Sequence, residues 1–197
     1  MEHVHDALAS DRPAIDAATG ALNRPLMLEV MDPILGLARR NRRAMAVLHV
    51  ALAEAVGTPA TAALAVDAIR SATRESDAVA RLGPAGFAVA LLEVWEADAA
   101  VRVARRVVER LQGELGPLLA ASARIGAAFY PHDAIDGPSL LDAAARATPR
   151  SGTLGFADRE LGWQALRRAG LRDSLMDGDI LSEFDLHYQP IRSVRGG

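Results

Sequence analysis

The chain has 197 residues, a net charge of -3 and a hydrophobic share of 50%, which suits one globular domain with an appendage and excludes a disordered chain. The acidic balance argues against a globally basic nucleic-acid binder, and no cysteine is present for disulfides, thiol catalysis or thiolate zinc sites. All 22 basic residues are arginine, which excludes a P-loop, a Schiff-base centre or any lysine-dependent phosphate transfer.

Residues 1–15 carry acids and histidines where a signal peptide has a basic start and an apolar centre. They read as a linker or the end of a connecting helix. No apolar run approaches the roughly 20 residues that span a bilayer, so a cytoplasmic chain without membrane insertion is expected. Pro25 suits the first turn of a helix that presents Leu28, Met31, Leu35 and Ala38 at helical spacing and ends in the basic run Arg39 to Arg43. Ala44 to Leu52 is apolar on both faces, the pattern of a central strand covered on both sides. Pro59 opens a second helix with Ala62, Ala65 and Ile69 inward. Two short strands, Ala78 to Leu82 and Phe87 to Leu92, flank Gly83-Pro84-Ala85-Gly86 and predict a β-hairpin.

Glu96 to Leu111 is strongly amphipathic, with Val101, Ala104, Val108 and Leu111 on one side and Arg102, Arg106 and Arg110 on another. A strand from Ala123 to Tyr130 stops at Pro131, a short helix extends from Pro138 to Arg146, and Pro149, Gly152 and Gly155 mark a break. A helix from Asp158 to about Met176 leads to Phe184 through Pro190, which reads as the first strand of something new. Trp95 and Trp163 read as packing residues and His49 as a core histidine. His3 and His5 read as part of a loose tail, and His132 as a loop residue without triad partners. The element order predicts an α/β fold, an α+β sandwich with a central mixed β-sheet flanked by helices.

Three ordered motifs resemble the GGDEF domain of bacterial diguanylate cyclases. Asp16 to Arg24 is similar to its opening D-x-x-T-G-L-x-N-R, Arg74 to Phe87 to its R-x-S-D-x-V-a-R-x-G-G-D-E-F, and Ala123 to Pro131 to its S-I-G-x-A-x-Y-P strand. The resemblance covers residues 16–157. Residues 158–180 would then form a connecting helix, and residues 181–197 are similar to the start of an EAL domain, a cyclic di-GMP phosphodiesterase module. In that resemblance Gln189 falls on an active-site position without its metal-binding partners.

The resemblance implies a nucleotide-cyclase-like fold and also marks departures from it. The family's signature turn reads Gly83-Pro84-Ala85-Gly86-Phe87, so both acids are replaced, and Ala51 and Ala53 stand where first-strand metal ligands would be. Glu54 to Thr58 replaces the stretch that reads guanine, and the late lysine segment aligns near Pro149 and Gly152. The expectation is a catalytically inactive domain with no catalytic residue, no metal and no cofactor. Arg74 and Asp77 match the family's R-x-x-D product site for cyclic di-GMP, with Arg105 or Arg106 as the helper from the next helix. The plain alternative is a local Arg74–Asp77 ion pair.

The implied role is a regulatory or interaction module, with cyclic di-GMP, the attached EAL domain and a protein partner or homodimer as partners and no nucleic acid. The alternative is the N-terminal portion of a phosphodiesterase whose EAL domain lies beyond this chain. A third reading is dimerisation through the N-terminal helix.

Overall fold

The computed structural model describes residues 15–94 and 96–176. The elements are α1 (Arg24–Asn41), β1 (Ala44–Ala51), a 3-10 turn (Glu54–Gly57), α2 (Pro59–Ala72), β2 (Ala78–Arg81), β3 (Gly86–Val94), α3 (Ala97–Leu115), the short α4 (Pro117–Ala120), β4 (Arg124–Tyr130), α5 (Gly137–Ala147), β5 (Leu154–Phe156) and α6 (Arg159–Met176). The predicted strand near 184, the N-terminal residues before 15 and Trp95 lie outside the described residues. Among those described, no helix is long and apolar enough to cross a membrane.

The five strands form one mixed sheet in the order β2-β3-β1-β4-β5. β1 runs antiparallel to β3 and β4, β2 antiparallel to β3, and β5 parallel to β4. The expected α+β sandwich is the observed architecture. β1 sits at the centre, and its alternation explains the doubly apolar sequence. Ala46, Leu48 and Val50 face α2 and α3 with Val66, Ile69, Val107 and Leu111. Met45 and Val47 face α1 and α5 with Met27, Met31, Leu140 and Leu141. Alanine is about a fifth of the chain and lines both layers. Each methylene it lacks forgoes about 0.8 kcal/mol of burial, so the large, fully buried Phe87, Met27, Met31 and Leu48 carry much of the apolar gain.

Local signals set the helix ends. Asn23 caps α1 by accepting from the Leu26 N–H at 2.9 Å, with Pro25 in the first turn. Met27 is the buried residue of that first turn, and Leu28, assigned inward from the sequence, packs at the margin. The helix closes on Arg42 with φ of 51°, a conformation usually given to glycine. Asp136 caps α5 by accepting from Ser139 N–H at 2.8 Å.

Two glycines let α5 lie against the sheet. A Cβ on Gly126 would meet the Ala144 carbonyl oxygen at 2.0 Å, and one on Gly155 the Ala147 carbonyl oxygen at 2.1 Å. β5, read as a break from the sequence, forms on this close approach. α6 docks its Ala165 and Ala169 on Val101 of α3. Trp163, expected to pack, is instead 66% exposed, because the small Ala165 and Ala169 make the helix contact and leave the indole on the outer side.

Candidate functional site

The signature hairpin forms where predicted. The Leu82 N–H donates to the Gly86 carbonyl at 2.8 Å, and Leu52 N–H ties the end of β1 to the Ala85 carbonyl at 2.9 Å. Arg81 organises everything around it. Its Nε donates to the Gly83 carbonyl at 3.1 Å, and its Nη2 to the carbonyls of Pro84 at 3.1 Å and Gly57 at 3.4 Å. Its Nη1 lies 3.3 Å from Asp16 Oδ1. One guanidinium therefore joins the N-terminal loop, the 3-10 turn and the hairpin.

Burial tends to raise the Asp16 carboxyl, but hydrogen bonds from Thr19 and Arg81 and the Arg81 charge outweigh it and hold the group below its ordinary value. The Pro84 ring packs so closely on the 3-10 turn that a Cβ on Gly57 would stand 3.3 Å from it.

A magnesium ion fits this region poorly. Hard divalent cations need several oxygen ligands, and the segments 51–57 and 83–87 hold a single carboxylate, the exposed Glu54. The Pro84 carbonyl is taken by Arg81 and the Ala85 carbonyl by Leu52. Among the described residues, no three acidic, histidine or cysteine side chains cluster as a ligand set.

His49 stands on β1, and its Nδ1 lies 2.8 Å from Thr148 Oγ1. The Thr148 hydroxyl itself reaches the Ala144 carbonyl at 3.2 Å. With the threonine hydrogen spent there, the imidazole Nδ1–H is the donor, which the neutral ring satisfies. Desolvation by burial lowers the His49 pKa below 6.5. In the unfolded chain the ring protonates near 6.5 while the folded chain keeps it neutral, so stability is full above that value and falls as the pH drops toward the folded-state value. Urea denaturation between pH 7 and pH 5 should show this loss, and His49→Gln should remove that part of the slope. An unchanged slope would mean that His49 titrates alike in the folded and the unfolded chain.

The R-x-x-D residues lie at the far end of β3, about 23 Å from the hairpin turn at a rise of ~3.3 Å per residue. There a cleft of about 440 Å³ opens between the loop after α2, the end of β3 and α3. It is lined by Arg74, Asp77, Arg102, Arg105, Arg106 and Glu109, over a floor that includes Leu91 and Val94. All four residues singled out from the sequence meet in this one cleft. Arg102, read only as part of a polar face, also lines it. It also pairs i,i+4 with the buried Asp98.

The Arg74–Asp77 ion pair expected as the plain alternative does not form. Asp77 is occupied by main chain: Oδ2 accepts from Arg74 N–H at 2.9 Å and Oδ1 from Leu92 N–H at 3.2 Å. The carboxylate thereby pins the loop to β3. Arg74 is exposed, and its guanidinium has no partner among the described residues.

No family model matches the chain, and no curated protein matches it in sequence. Solved structures do match. The GGDEF domain of TpbB (also YfiN) from Pseudomonas aeruginosa shares 26% identity over 75% of this chain and 96% of that one, with a TM-score of 0.63. A sensory box/GGDEF family protein from Caulobacter crescentus shares 23% identity over 69% of this chain and 96% of that one, at 0.61. The coiled coil and GGDEF domain of DgcB from Caulobacter crescentus, in complex with c-di-GMP, shares 17% identity over 73% of this chain and 85% of that one, at 0.59. The chain has the fold of GGDEF domains.

Proposed function

We propose that this chain is a catalytically inactive GGDEF domain of a cyclic di-GMP signalling protein, which acts as a regulatory module and binds cyclic di-GMP through Arg74, Asp77, Arg105 and Arg106. The observation that carries this reading is the convergence of those four residues, distant in sequence, on one cleft. The cleft places Arg74, Arg105 and Arg106 beside Asp77 and Glu109, with Arg102 already paired to Asp98, and its positive balance favours the phosphodiester groups of a cyclic dinucleotide. A free guanidinium such as Arg74 makes paired hydrogen bonds to phosphate oxygens or to guanine O6 and N7. Asp77 keeps lone pairs for guanine N–H donors while it braces the loop. A volume near 440 Å³ lies within the roughly 300–1,000 Å³ of small-molecule sites. The DgcB structure of the same fold is a complex with c-di-GMP.

The inactive half of the proposal rests on the donor inventory around the hairpin, where alanine, proline and glycine stand in place of the family's acids. The phosphodiesterase alternative rests on residues 181–197, which lie outside the described residues.

Calorimetric titration with cyclic di-GMP is the test. The native chain gives saturable heat, and Arg74→Ala weakens binding at least about tenfold, because a charge-assisted contact contributes about 1.5–3 kcal/mol. Arg74 is exposed and has no side-chain partner among the described residues, so the variant should melt as the native chain does. Equal titrations of the two proteins would move the ligand elsewhere.

A further inference from the structure

A second cleft, of about 570 Å³, runs along the outer edge of the sheet where the C-terminus of α5, strand β5 and the start of α6 meet. Its charged lining is Arg146, Arg150 and Arg159, with no acid, and Trp163 stands beside them. None of the three guanidinium groups has a partner among the described residues. β5 is the terminal strand of the sheet. Ile125 N–H donates to the Thr153 carbonyl at 2.7 Å and Ala157 N–H to the Ala127 carbonyl at 2.9 Å. Period-two alternation then turns the peptide groups of Leu154 and Phe156 away from β4, and among the described residues nothing bonds to them there. The opposite edge is treated differently: Leu22 bonds to β2 through the Val79 carbonyl at 3.1 Å and the Arg81 N–H at 2.8 Å.

An unpaired strand edge accepts a further strand, and the surroundings of this one decide which. A second copy of the chain is disfavoured, because edge-to-edge pairing of two β5 strands would bring the arginines of both copies together. An acidic strand gains charge-assisted hydrogen bonds to the free guanidinium groups on top of the main-chain ladder. The two faces of the edge add a pattern. α5 packs with α1 on one face of the sheet, and α6 lies with α3 on the other. Arg146 and Arg150 thus come from the α5 side and Trp163 from the α6 side. Successive strand residues point to opposite faces, so acids two positions apart meet the arginines while the residue between them meets the indole. Tryptophan and arginine are also the side chains that most often anchor protein interfaces, and Trp163 is exposed on a helix whose inward contacts are made by alanines.

We propose that the β5 edge is a docking site for an acidic strand of a partner protein. That strand adds beside Leu154 and Phe156, with carboxylates at alternate positions on Arg146 and Arg150 and an apolar residue between them on Trp163. Arg159 adds to the positive field that draws the strand in. The site is separate from the Arg74 cleft, since β1 and β4 stand between β3 and β5, and it does not depend on cyclic di-GMP.

The test uses the full 197-residue chain. The probe is a capped peptide of alternating glutamate and valine, and its neutral counterpart alternates glutamine and valine. The readout is amide hydrogen exchange at Leu154 and Phe156, with Leu48 in the central strand as the control for global stability. At saturation the glutamate peptide should slow the two edge amides at least about tenfold and leave Leu48 unchanged. The glutamine peptide at the same concentration should not slow them. Arg146→Gln/Arg150→Gln and Trp163→Ala, all at exposed positions, should each weaken the glutamate-peptide titration at least about fivefold. Raising the salt from about 0.05 M to about 0.5 M should weaken it too. Equal slowing by the two peptides overturns the proposal, as does no slowing by the glutamate peptide at millimolar concentration. So does slowing that follows the concentration of the chain without peptide, since a second copy would then hold the edge.

Discussion

Mixed with GTP and magnesium or manganese, the chain should yield no cyclic di-GMP. Phosphoryl transfer between two nucleotides is mostly positioning and charge neutralisation, and divalent metal supplies much of both. The hairpin turn and the end of β1 offer Ala51, Ala53, Pro84, Ala85 and Gly86 at the positions where the resembling family carries acids and a glycine. Loss of one donor to a transition-state charge typically costs about 10²–10³ in rate, and several are missing together. Their joint loss should put turnover below the background of a protein-free control. Chromatographic detection of product above that control would overturn the inactive reading.

Restoring acids alone should not restore activity. In Ala51→Asp/Ala85→Asp/Gly86→Glu the Pro84 ring would still rest on Gly57, and Arg81 would still occupy the Gly83, Pro84 and Gly57 carbonyls. Pro84 has no N–H to offer a phosphate. A GTP titration should accordingly show weak or no affinity in the native chain and in that variant. Tight binding by either would show that the nucleotide contacts run through residues outside the hairpin turn and the end of β1.

The sheet is legible in the sequence wherever the pattern is local. The two apolar runs around Gly83 to Gly86 predict a hairpin because strand pairing across four residues is nearly the only use for them. The doubly apolar Ala44 to Leu52 has to be central because only a strand covered on both faces can bury both sets. β5 escapes because its three residues carry no alternation. It exists through Gly126 and Gly155, which let α5 settle against β4 and β5, and that is a tertiary fact. Trp163 misleads for a related reason: large aromatic residues are usually buried, yet alanines make the α3–α6 contact. At the site, the letters Arg74, Asp77, Arg105 and Arg106 are legible, but their bonding is not. Asp77 accepting from main-chain N–H groups on both sides of the hairpin depends on β3 returning beside its own loop.

Removing the Arg81 guanidinium should be the most damaging single change on the polar side of this fold. Arg81→Ala is expected to cost about 2–4 kcal/mol, since charge-assisted hydrogen bonds contribute about 1.5–3 kcal/mol and several would go at once. That corresponds to a Tm lower by roughly 5–15 °C for a domain of this size. The side chain is only 12% exposed, so water does not replace the lost donors well. Arg81→Lys should recover little, because a single ammonium cannot span the carbonyls of Gly57, Gly83 and Pro84 and the Asp16 carboxylate together.

The Asp16 partner gives the same claim a pH signature. Its folded-state pKa lies below the ordinary 3.8, so its contribution is present above that value and disappears as the pH falls through the folded one. Urea denaturation at pH 7 should separate the native chain from Asp16→Asn, and the gap should close as the pH is taken down below about 4. The Arg81→Ala loss should shrink over the same interval without vanishing, since the three carbonyl contacts do not titrate. A gap between the native chain and Asp16→Asn that stays constant with pH would show that the Asp16 charge contributes nothing, leaving Arg81 to hold the hairpin through main-chain carbonyls alone.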